Sequence, residues 1–288
     1  MGITAHNEEA NIGKLLQCVI DQDLQFVELV EILVVISGCT DNTEGIVRSF
    51  MARDGRIRLL IQAEREGKAS AMNLFLRQAQ EEVLIFSSAD LQPAPDAIER
   101  LGAPFRDPEM GMTTSRPMPV NDKDTFMGFA AHLLWDLHHQ MNLKGFKAGE
   151  MIAFRKVFKR IPQFTAVDEA SVEPLIRGQG YKVSYVPEAI VYNKGPDTVA
   201  DFLRQRRRIY AGHLELKQIL GYSVSTMSGF GIISLLLHNL DWRPKQFIWT
   251  WIVVALEITG RLLGWYDFKR KKDHSVWDIA STTKDLKA

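Results

Sequence analysis

The chain has 288 residues and is 46% hydrophobic, which is enough to bury the core of one large domain with an appendage. Lysine plus arginine and aspartate plus glutamate number 35 each, so no net positive charge favours non-specific nucleic-acid binding, and no nucleic acid is expected as a partner. The two cysteines imply no disulfide framework and fit a reducing compartment.

The first hundred residues alternate between strand-like and helix-like patterns. Short apolar runs predict buried strands, and apolar residues three to four apart predict helices. Strands that alternate with helices pair in parallel through right-handed crossovers. The predicted strands are 2–5, 32–36, 57–61 and 83–86, and the predicted helices are 11–21, one that begins at Thr43, and 69–79.

The first predicted strand has the character of a strand's last residues, so we expect the natural sequence to begin a few residues upstream. No signal peptide is expected, because the polar run at 6–9 begins too early. Beyond residue 100 the pattern is less regular. It predicts helices at 124–143 and 168–178 and strands at 151–154 and 181–185.

Asp90 follows directly after the predicted strand at 83–86. In open α/β sheets, ligands bind beyond the carboxyl ends of the strands. A carboxylate at that position can hold a divalent cation against a diphosphate. The alternative is an aspartate that opens a turn or caps a helix.

Two further polar segments follow predicted strands. In the first, Asn7 and Glu8 can hydrogen-bond the edge of a nucleobase, although Asn7 can also be an ordinary helix cap. In the second, Gly38 permits a tight turn, and the polar residues at 37–43 face the same crevice. Helix capping by Thr40 or Asp41 is the alternative there.

Two motifs lie at predicted helix starts. Lys68 adds to the positive end of a helix dipole and favours phosphate, although a surface lysine is the simpler interpretation. Asp168 and Glu169 open another helix, where they can act as caps. One of them can also be a general base that takes a proton from an alcohol.

Taken together, these motifs resemble the inverting glycosyltransferases of family 2, of the membrane-associated type, which have the GT-A fold. The resemblance covers roughly residues 2–210. The matching segments are Asn7-Glu8, Ser37 to Thr43 (Asp-Asp-Gly-Ser-x-Asp-x-Thr in the family), Gly67-Lys68-Ala69 with Asn73 (Gly-Lys-x-x-Ala-x-Asn), Ser88-Ala89-Asp90 (Asp-x-Asp), Asp168-Glu169 (Glu-Asp) and Gln205 to Ile209 (Gln-x-x-Arg-Trp).

The resemblance implies an enzyme that moves a sugar from a nucleotide-diphosphate sugar to an acceptor hydroxyl with inversion. It implies that Glu169 is the base, with Asp168 as second candidate, and that Asp90 binds Mn²⁺ or Mg²⁺. The implied acceptor side is formed by Gly149, Glu150, Gln205 and Arg208. The implied donor site comprises Ala5, His6, Asn7, Glu8, Ser37, Gly38, Lys68, Ser88, Ala89 and Asp90.

Four positions depart from the family pattern. Ser37 and Ser88 each stand where the family often has an acidic residue, Glu169 stands where the base is usually aspartate, and Ile209 replaces tryptophan. The two serines leave open a catalytically silent nucleotide-binding scaffold. A nucleotidyltransferase on a similar sheet is the other alternative, but it predicts a glycine-rich loop where the chain has residues 6–8.

One helical spacing points to a different site. His132, Asp136 and His139 lie at i, i+4 and i+7 of the predicted helix at 124–143, a spacing that can bind a metal. Because Leu134 and Trp135 suggest a helix packed on the sheet, we expect these polar residues to be structural.

The sequence divides into a GT-A domain at 1–210, with donor half 1–100 and acceptor half 101–210, and a helical membrane-associating region at 211–288. Residues 218–240 carry no charge and are long enough to span a bilayer. Residues 246–265 contain Glu257 and Arg261, whose charges are unfavourable near a bilayer centre, so in-plane or re-entrant helices are favoured over two full spans. A soluble helical hairpin or an oligomer interface is the alternative.

The basic run at 269–272 would then face anionic lipid on the cytoplasmic side of the cell membrane. Membrane contact would place the acceptor, a lipid-linked molecule or a glycan, close to the bilayer. One face of the second apolar helix carries Phe247, Trp251, Val254, Ile258, Leu262 and Trp265.

Overall fold

A computed structural model describes residues 1–163, 166–222, 234–237, 240–272, 274, 281–283 and 286. Its centre is a sheet of eight strands, in the order β3-β2-β1-β4-β7-β6-β8-β5. The strands are β1 Gly2–Ala5, β2 Ile32–Ser37, β3 Ile57–Gln62, β4 Val83–Ser88, β5 Gln92–Pro93, β6 Met110–Pro119, β7 Ile152–Arg155 and β8 Lys182–Asn193.

Helices cover both faces of this sheet or follow it along the chain. They are α1 Ile12–Ile20, α2 Thr43–Met51, α3 Lys68–Gln78, α4 Ala97–Gly102, α5 Phe126–Asn142, α6 Asp168–Arg177, α7 Val199–Leu220 and α8 Pro244–Lys269. Short 3₁₀ turns lie at Ala103–Arg106 and Ser281–Thr283.

The first four strands pair in parallel, as the alternation of strand and helix predicts. Successive residues of these strands point to opposite faces, and both faces are apolar. On one face Ile3 and Val34 pack with α1 and α2, and on the other Leu33 and Val35 pack with α3 and α6. The predicted α/β fold class is confirmed.

The second half of the sheet is mixed. β7 is antiparallel to both β4 and β6, whereas β6 and β8 are parallel. The sequence did not predict β6, because Gly111, Pro117 and Pro119 weaken a strand pattern. The register between β6 and β8 shifts at two points along this pairing.

α7 and α8 pack closely against each other. A Cβ added at Gly260 would lie 2.7 Å from Cβ of Arg206, and one at Gly264 would lie 2.5 Å from the carbonyl oxygen of Arg207. These two glycines therefore permit a short distance between the helix backbones. α7 runs without a break through residue 210, and the division of the chain at that residue stays a prediction.

α8 is the one helix, among the described residues, that is long and apolar enough to cross a membrane, judged by length and composition. Trp251, Ile258, Leu262 and Trp265 of the predicted apolar face are exposed, while Phe247 and Val254 are half-buried. Of the uncharged stretch 218–240, residues 223–233 and 238–239 lie outside the described part of the chain.

Candidate active site

A cavity of about 950 Å³ opens at the carboxyl ends of β1, β2 and β4. It continues between α5, α6 and α7. Of the site residues predicted from the sequence, the following line it: Ala5, His6, Glu8, Ser37, Lys68, Ser88, Ala89, Asp90, Gly149, Glu150, Asp168, Glu169, Gln205 and Arg208.

Asn7 and Gly38 are the two predicted site residues that do not line this cavity. Asn7 has a φ of 52°, and its side-chain oxygen accepts a hydrogen bond from the backbone N–H of Thr40 at 2.8 Å. Gly38 has a φ of 57°, and a Cβ there would lie 2.6 Å from the nitrogen of Arg65. In this structure both residues shape the loops after β1 and β2.

Hydrogen bonds hold these two loops beside each other. Nδ1 of His6 lies 2.7 Å from the carbonyl oxygen of Ser37, and the hydroxyl of Ser37 donates to the carbonyl of Glu64 at 3.2 Å. Glu8 is buried, and its carboxylate accepts from the amide of Asn11 at 3.0 Å. The loops after β1, β2 and β3 are thereby fixed around one end of the cavity.

The antiparallel pairing of β4 with β7 brings two acidic residues to the same edge of the sheet. Phe86 near the end of β4 pairs with Ile152 at the start of β7. Asp90 follows β4 and Glu150 precedes β7, so both lie at this edge. Burial first, and then the charges of Asp90 and Glu169, raise the pKa of Glu150 to about 7.

Lys68 lies at the start of α3, where it contacts both halves of the site. Its ammonium donates to the hydroxyl of Ser88 at 2.7 Å and to the carboxylate of Glu169, with which it forms an ion pair. Burial opposes the charge of Lys68, but Glu169 and Asp168 raise its pKa above the ordinary value. The ammonium is therefore charged at neutral pH.

Asp168 opens α6 and is almost completely buried, with 1% of its surface exposed. Among the described residues, its Oδ1 has no hydrogen-bond partner. Burial, with the neighbouring charge of Glu169, raises the pKa of Asp168 to about 7 against the opposing effects of Lys68 and Arg208. A carboxyl group with such a pKa can accept a proton near neutral pH.

The site holds more acidic than basic groups at its centre. The guanidinium of half-buried Arg208 interacts electrostatically with four carboxylates, those of Asp90, Glu150, Asp168 and Glu169. Lys68 adds the second positive charge. The raised pKa values of Glu150 and Asp168 fit this excess of acidic groups together with burial.

A divalent cation fits this chemistry. Carboxylate oxygens such as those of Asp90 and Glu150 are the ligands that Mg²⁺ and similar hard cations prefer. Within the described residues, no cluster of three or more histidine, cysteine, aspartate or glutamate side chains is arranged to hold a metal ion. A cation here would take its other ligands from a bound diphosphate or from water.

Several cavity residues were not predicted as part of the site. Asn193, at the end of β8, donates to Glu150 at 3.4 Å, and its own side-chain oxygen has no partner in the described part of the chain. The sequence signal for Asn193 is its place as a polar residue at the end of a strand. Lys147 and His213 line the cavity too, but neither belongs to a motif.

The histidines of α5 have protein partners. Nε2 of His132 lies 3.0 Å from the carbonyl oxygen of Asn121, and Nδ1 of His139 lies 2.7 Å from the hydroxyl of Tyr185. Leu134 and Trp135, expected to pack on the sheet, line the cavity. α5 therefore supplies an apolar wall of the site.

The sequence profile described as glycosyl transferase family 2 matches residues 2–173. The chain belongs to glycosyl transferase family 2. A second profile, glycosyl transferase family group 2, matches residues 175–267. The family 2 resemblance that the motifs predicted is thus confirmed, and the matched region extends to within three residues of the end of α8.

Two curated relatives are similar to most of this chain. An N-acetylglucosaminyltransferase of Rhizobium meliloti is 25% identical over 230 residues, covering 72% of this chain and 53% of its own length. A poly-beta-1,6-N-acetyl-D-glucosamine synthase of Staphylococcus aureus is 23% identical over 241 residues, covering 78% and 56%. The chain spans about half the length of these two relatives.

Solved structures with bound nucleotide sugars share the fold. A mannosyltransferase of Pyrobaculum calidifontis, in complex with GDP-Man and Mn²⁺, has a TM-score of 0.61 at 20% identity, covering 94% of this chain and 81% of its own. TarS of S. aureus with UDP-GlcNAc has a TM-score of 0.53 at 14% identity, covering 95% and 92%. The GT-A fold predicted for this family 2 chain is confirmed.

Proposed function

We propose that this protein transfers a sugar from a nucleoside-diphosphate sugar to an acceptor hydroxyl, with inversion at the anomeric carbon. The observation that carries the proposal is the Lys68–Glu169 ion pair. The pair joins Lys68, which lies at a helix start that can bind phosphate, to Glu169, a carboxylate that can accept a proton. Both residues line one cavity, and Asp90 lines it too.

The donor side is assigned to the loops after β1, β2 and β4. In this proposal His6, Glu8 and Ser37 contact the nucleoside, and Lys68 contacts the diphosphate. Asp90, helped by Glu150, would hold Mn²⁺ or Mg²⁺. When bound, the cation would neutralise charge on the departing nucleoside diphosphate.

The base is assigned to Glu169, with Asp168 retained as the second candidate. Glu169 lines the cavity and has about a sixth of its side chain exposed, whereas Asp168 lies almost fully buried beside it. The carboxylate would take the proton of the acceptor hydroxyl as the oxygen attacks the anomeric carbon. The sugar–phosphate bond breaks on the opposite face, so one displacement inverts the centre.

The acceptor is assigned to the part of the cavity lined by Gly149, Glu150, Gln205 and Arg208. We propose a glycan or lipid-linked acceptor presented at the cytoplasmic face of a membrane. The exposed apolar residues of α8 and the basic run at 269–272 support this assignment.

The first experiment measures thermal unfolding with UDP, GDP and CDP, each with and without Mn²⁺. A ligand at about 100 times its Kd adds roughly 2.7 kcal/mol to the free energy of unfolding. We expect a metal-dependent stabilisation by one nucleotide. UDP-N-acetylglucosamine is the first donor to test for turnover, because both curated relatives carry N-acetylglucosamine in their names.

Asp90→Asn should lose the metal-dependent part of the stabilisation. Asp96→Asn is the matched control, since Asp96 is an aspartate paired with Arg100 at the start of α4 and does not line the cavity. Stabilisation by a nucleotide without turnover of any donor would favour a silent scaffold. No stabilisation by any nucleotide would contradict the proposed donor site.

A further inference from the structure

A second group of polar and charged residues also lines the cavity. Lys147 lies in the loop between α5 and β7, Arg206 and His213 lie on α7, and Glu257 and Arg261 lie on α8. All of these side chains line the large cavity and a smaller adjoining space of about 20 Å³. We call these five residues the α7–α8 charge cluster.

The α7–α8 charge cluster contains more positive than negative charge. Glu257 accepts hydrogen bonds from Arg206 at 2.5 and 2.9 Å and from Arg261 at 2.9 Å, so one carboxylate serves two guanidinium groups. In the described part of the chain, the ammonium of Lys147 makes no hydrogen bond or ion pair with any residue. Lys147 is half-buried, and its ammonium has no ion-pair partner among the described residues, while the two nearby guanidinium groups share one carboxylate, so this arrangement favours an anionic ligand.

His213 supplies independent support for a ligand. Its side chain is more than nine-tenths buried, and its Nδ1 has no hydrogen-bond partner within the described residues. Burial, followed by the charges of Lys147, Arg206 and Arg261, lowers the pKa of His213 to about 3. A neutral imidazole can donate one N–H to the oxygen of a ligand.

The walls beside this cluster are apolar. Leu134, Leu137 and Met141 of α5 line the same cavity. The space therefore offers positive charge at one point and hydrocarbon contact next to it. A phosphoryl group that is free, or that forms the head of an amphiphile, matches the charged part.

We propose that Lys147, Arg206, Arg261 and His213 form a binding site for a phosphoryl group, separate from the diphosphate site at Lys68. The assignment of that group to the acceptor rests on the proposed function, whereas binding itself can be measured without any transfer. Arg206 and Arg261 keep Glu257 as their common partner, and Lys147 and His213 supply the donors that are not otherwise engaged.

The site has a predicted pH dependence. Burial, with the neighbouring Arg206 and Arg261, lowers the pKa of Lys147 to about 7, and Glu257 opposes that shift. His138 of α5 and His213 of α7 also face this lysine, and both are neutral at pH 7 because burial lowers the pKa of each to about 3. An anion bound here would raise the pKa of Lys147, so above pH 7 this lysine takes up a proton on binding, and its contribution to the affinity weakens as the pH rises.

The test measures binding of inorganic phosphate and of dodecyl phosphate, below its micelle concentration, by titration calorimetry at pH 7.5. Two buffers of different ionisation enthalpy, neither of them phosphate, report proton uptake. The variant is Lys147→Met, and the control is Lys144→Met, because Lys144 is an exposed lysine three residues away. UDP with Mn²⁺ is titrated into the same samples.

We expect Lys147→Met to weaken phosphoryl binding about tenfold or more and to lower the proton uptake, while Lys144→Met leaves both unchanged; proton exchange by the phosphate itself is common to all three proteins. Tighter binding of dodecyl phosphate, with no binding of dodecyl maltoside, would assign the group to a lipid head; equal affinities would assign it to free phosphate. Absence of saturable binding, or binding equal in all three proteins, would overturn the site.

The two proposals can fail separately in this experiment. If the unmodified protein does not bind UDP, the proposed function is contradicted, and the phosphoryl measurement is still valid. Retained UDP binding without phosphoryl binding contradicts only the new site. Because Lys147→Met removes a half-buried positive charge that lies beside Arg206 and Arg261, we expect its melting temperature to equal or exceed that of the unmodified protein.

Discussion

The ammonium of Lys68 donates a hydrogen bond to the carboxylate of Glu169 and so joins the first residue of α3 to the second residue of α6. The proposed phosphate ligand and the proposed base therefore hold each other in place. A diphosphate that binds Lys68 would compete with Glu169 for the same ammonium. Donor binding and release of the base would then be coupled.

Replacement of Lys68 by Met should weaken binding of nucleoside diphosphates by about tenfold to a hundredfold, since a hydrogen bond to a charged group is lost. Binding of the free nucleoside should change little, because it carries no phosphate. Titration calorimetry of UDP and uridine against both proteins checks this. Equal loss for the two ligands would mean that the variant has disturbed the whole cleft.

Glu169→Gln should lower kcat by about 10² to 10⁴-fold with little effect on donor affinity, because the side chain keeps its size and loses its basicity. Asp168→Asn, the neighbouring substitution of the same kind, should have the smaller effect on kcat. Steady-state rates with saturating donor compare the two. If Asp168→Asn is the more damaging, the base is Asp168.

Glu150→Gln should stabilise the protein at high pH. The folded-state pKa of Glu150 is raised to about 7, so the folded protein binds more protons than the unfolded chain between about pH 4.5 and pH 7. Stability contributed through this group is present at low pH and is lost as the pH rises through that window. Glutamine does not ionise, so the variant does not lose this stability as the pH rises.

The expected gain in the free energy of unfolding from Glu150→Gln is on the order of 2 kcal/mol at pH 8 and close to zero at pH 4. Chemical unfolding at the two pH values measures it. Glu64→Gln is the control, because Glu64 is exposed. A gain of the same size at both pH values would show that ionisation of Glu150 is not its cause.

Leu262→Asp on the exposed face of α8 should reduce binding to vesicles that contain anionic lipid several-fold, because a charge replaces an apolar contact at the surface. Vesicle flotation provides the measurement. Phe26→Asp is the control, since Phe26 is also exposed but lies far along the chain, before β2. Binding that survives Leu262→Asp would contradict the proposed orientation of α8.

The regular half of the fold was predictable because local pattern and tertiary environment agree there. The apolar runs of β2 and β4 are buried on both faces of the sheet, so each is visible as a continuous hydrophobic segment. β6 was not predictable in the same way. Its glycine and two prolines are accommodated by pairing with β7 and β8, which are distant in sequence.

The candidate site likewise contains residues that the sequence predicted and residues that it did not. Asp90 and Lys68 were found because each lies at the end of a predicted element, within a spaced motif. Lys147 was missed because a single lysine in a loop carries no signal until α7 and α8 surround it. The closeness of Glu150 to Asp90 also depends on an antiparallel pairing that residues 101–200 do not reveal locally.

α8 presents two different surfaces to its surroundings. Its inner side contacts α7 through Gly260 and Gly264 and supplies the partners of Arg206 and Arg207, namely Glu257 and Asp267. Its outer side is the exposed apolar one. In the proposed attachment to a membrane, the outer side of α8 would contact the lipid, and the packing of α8 against α7 would then set how the cavity is oriented relative to that surface.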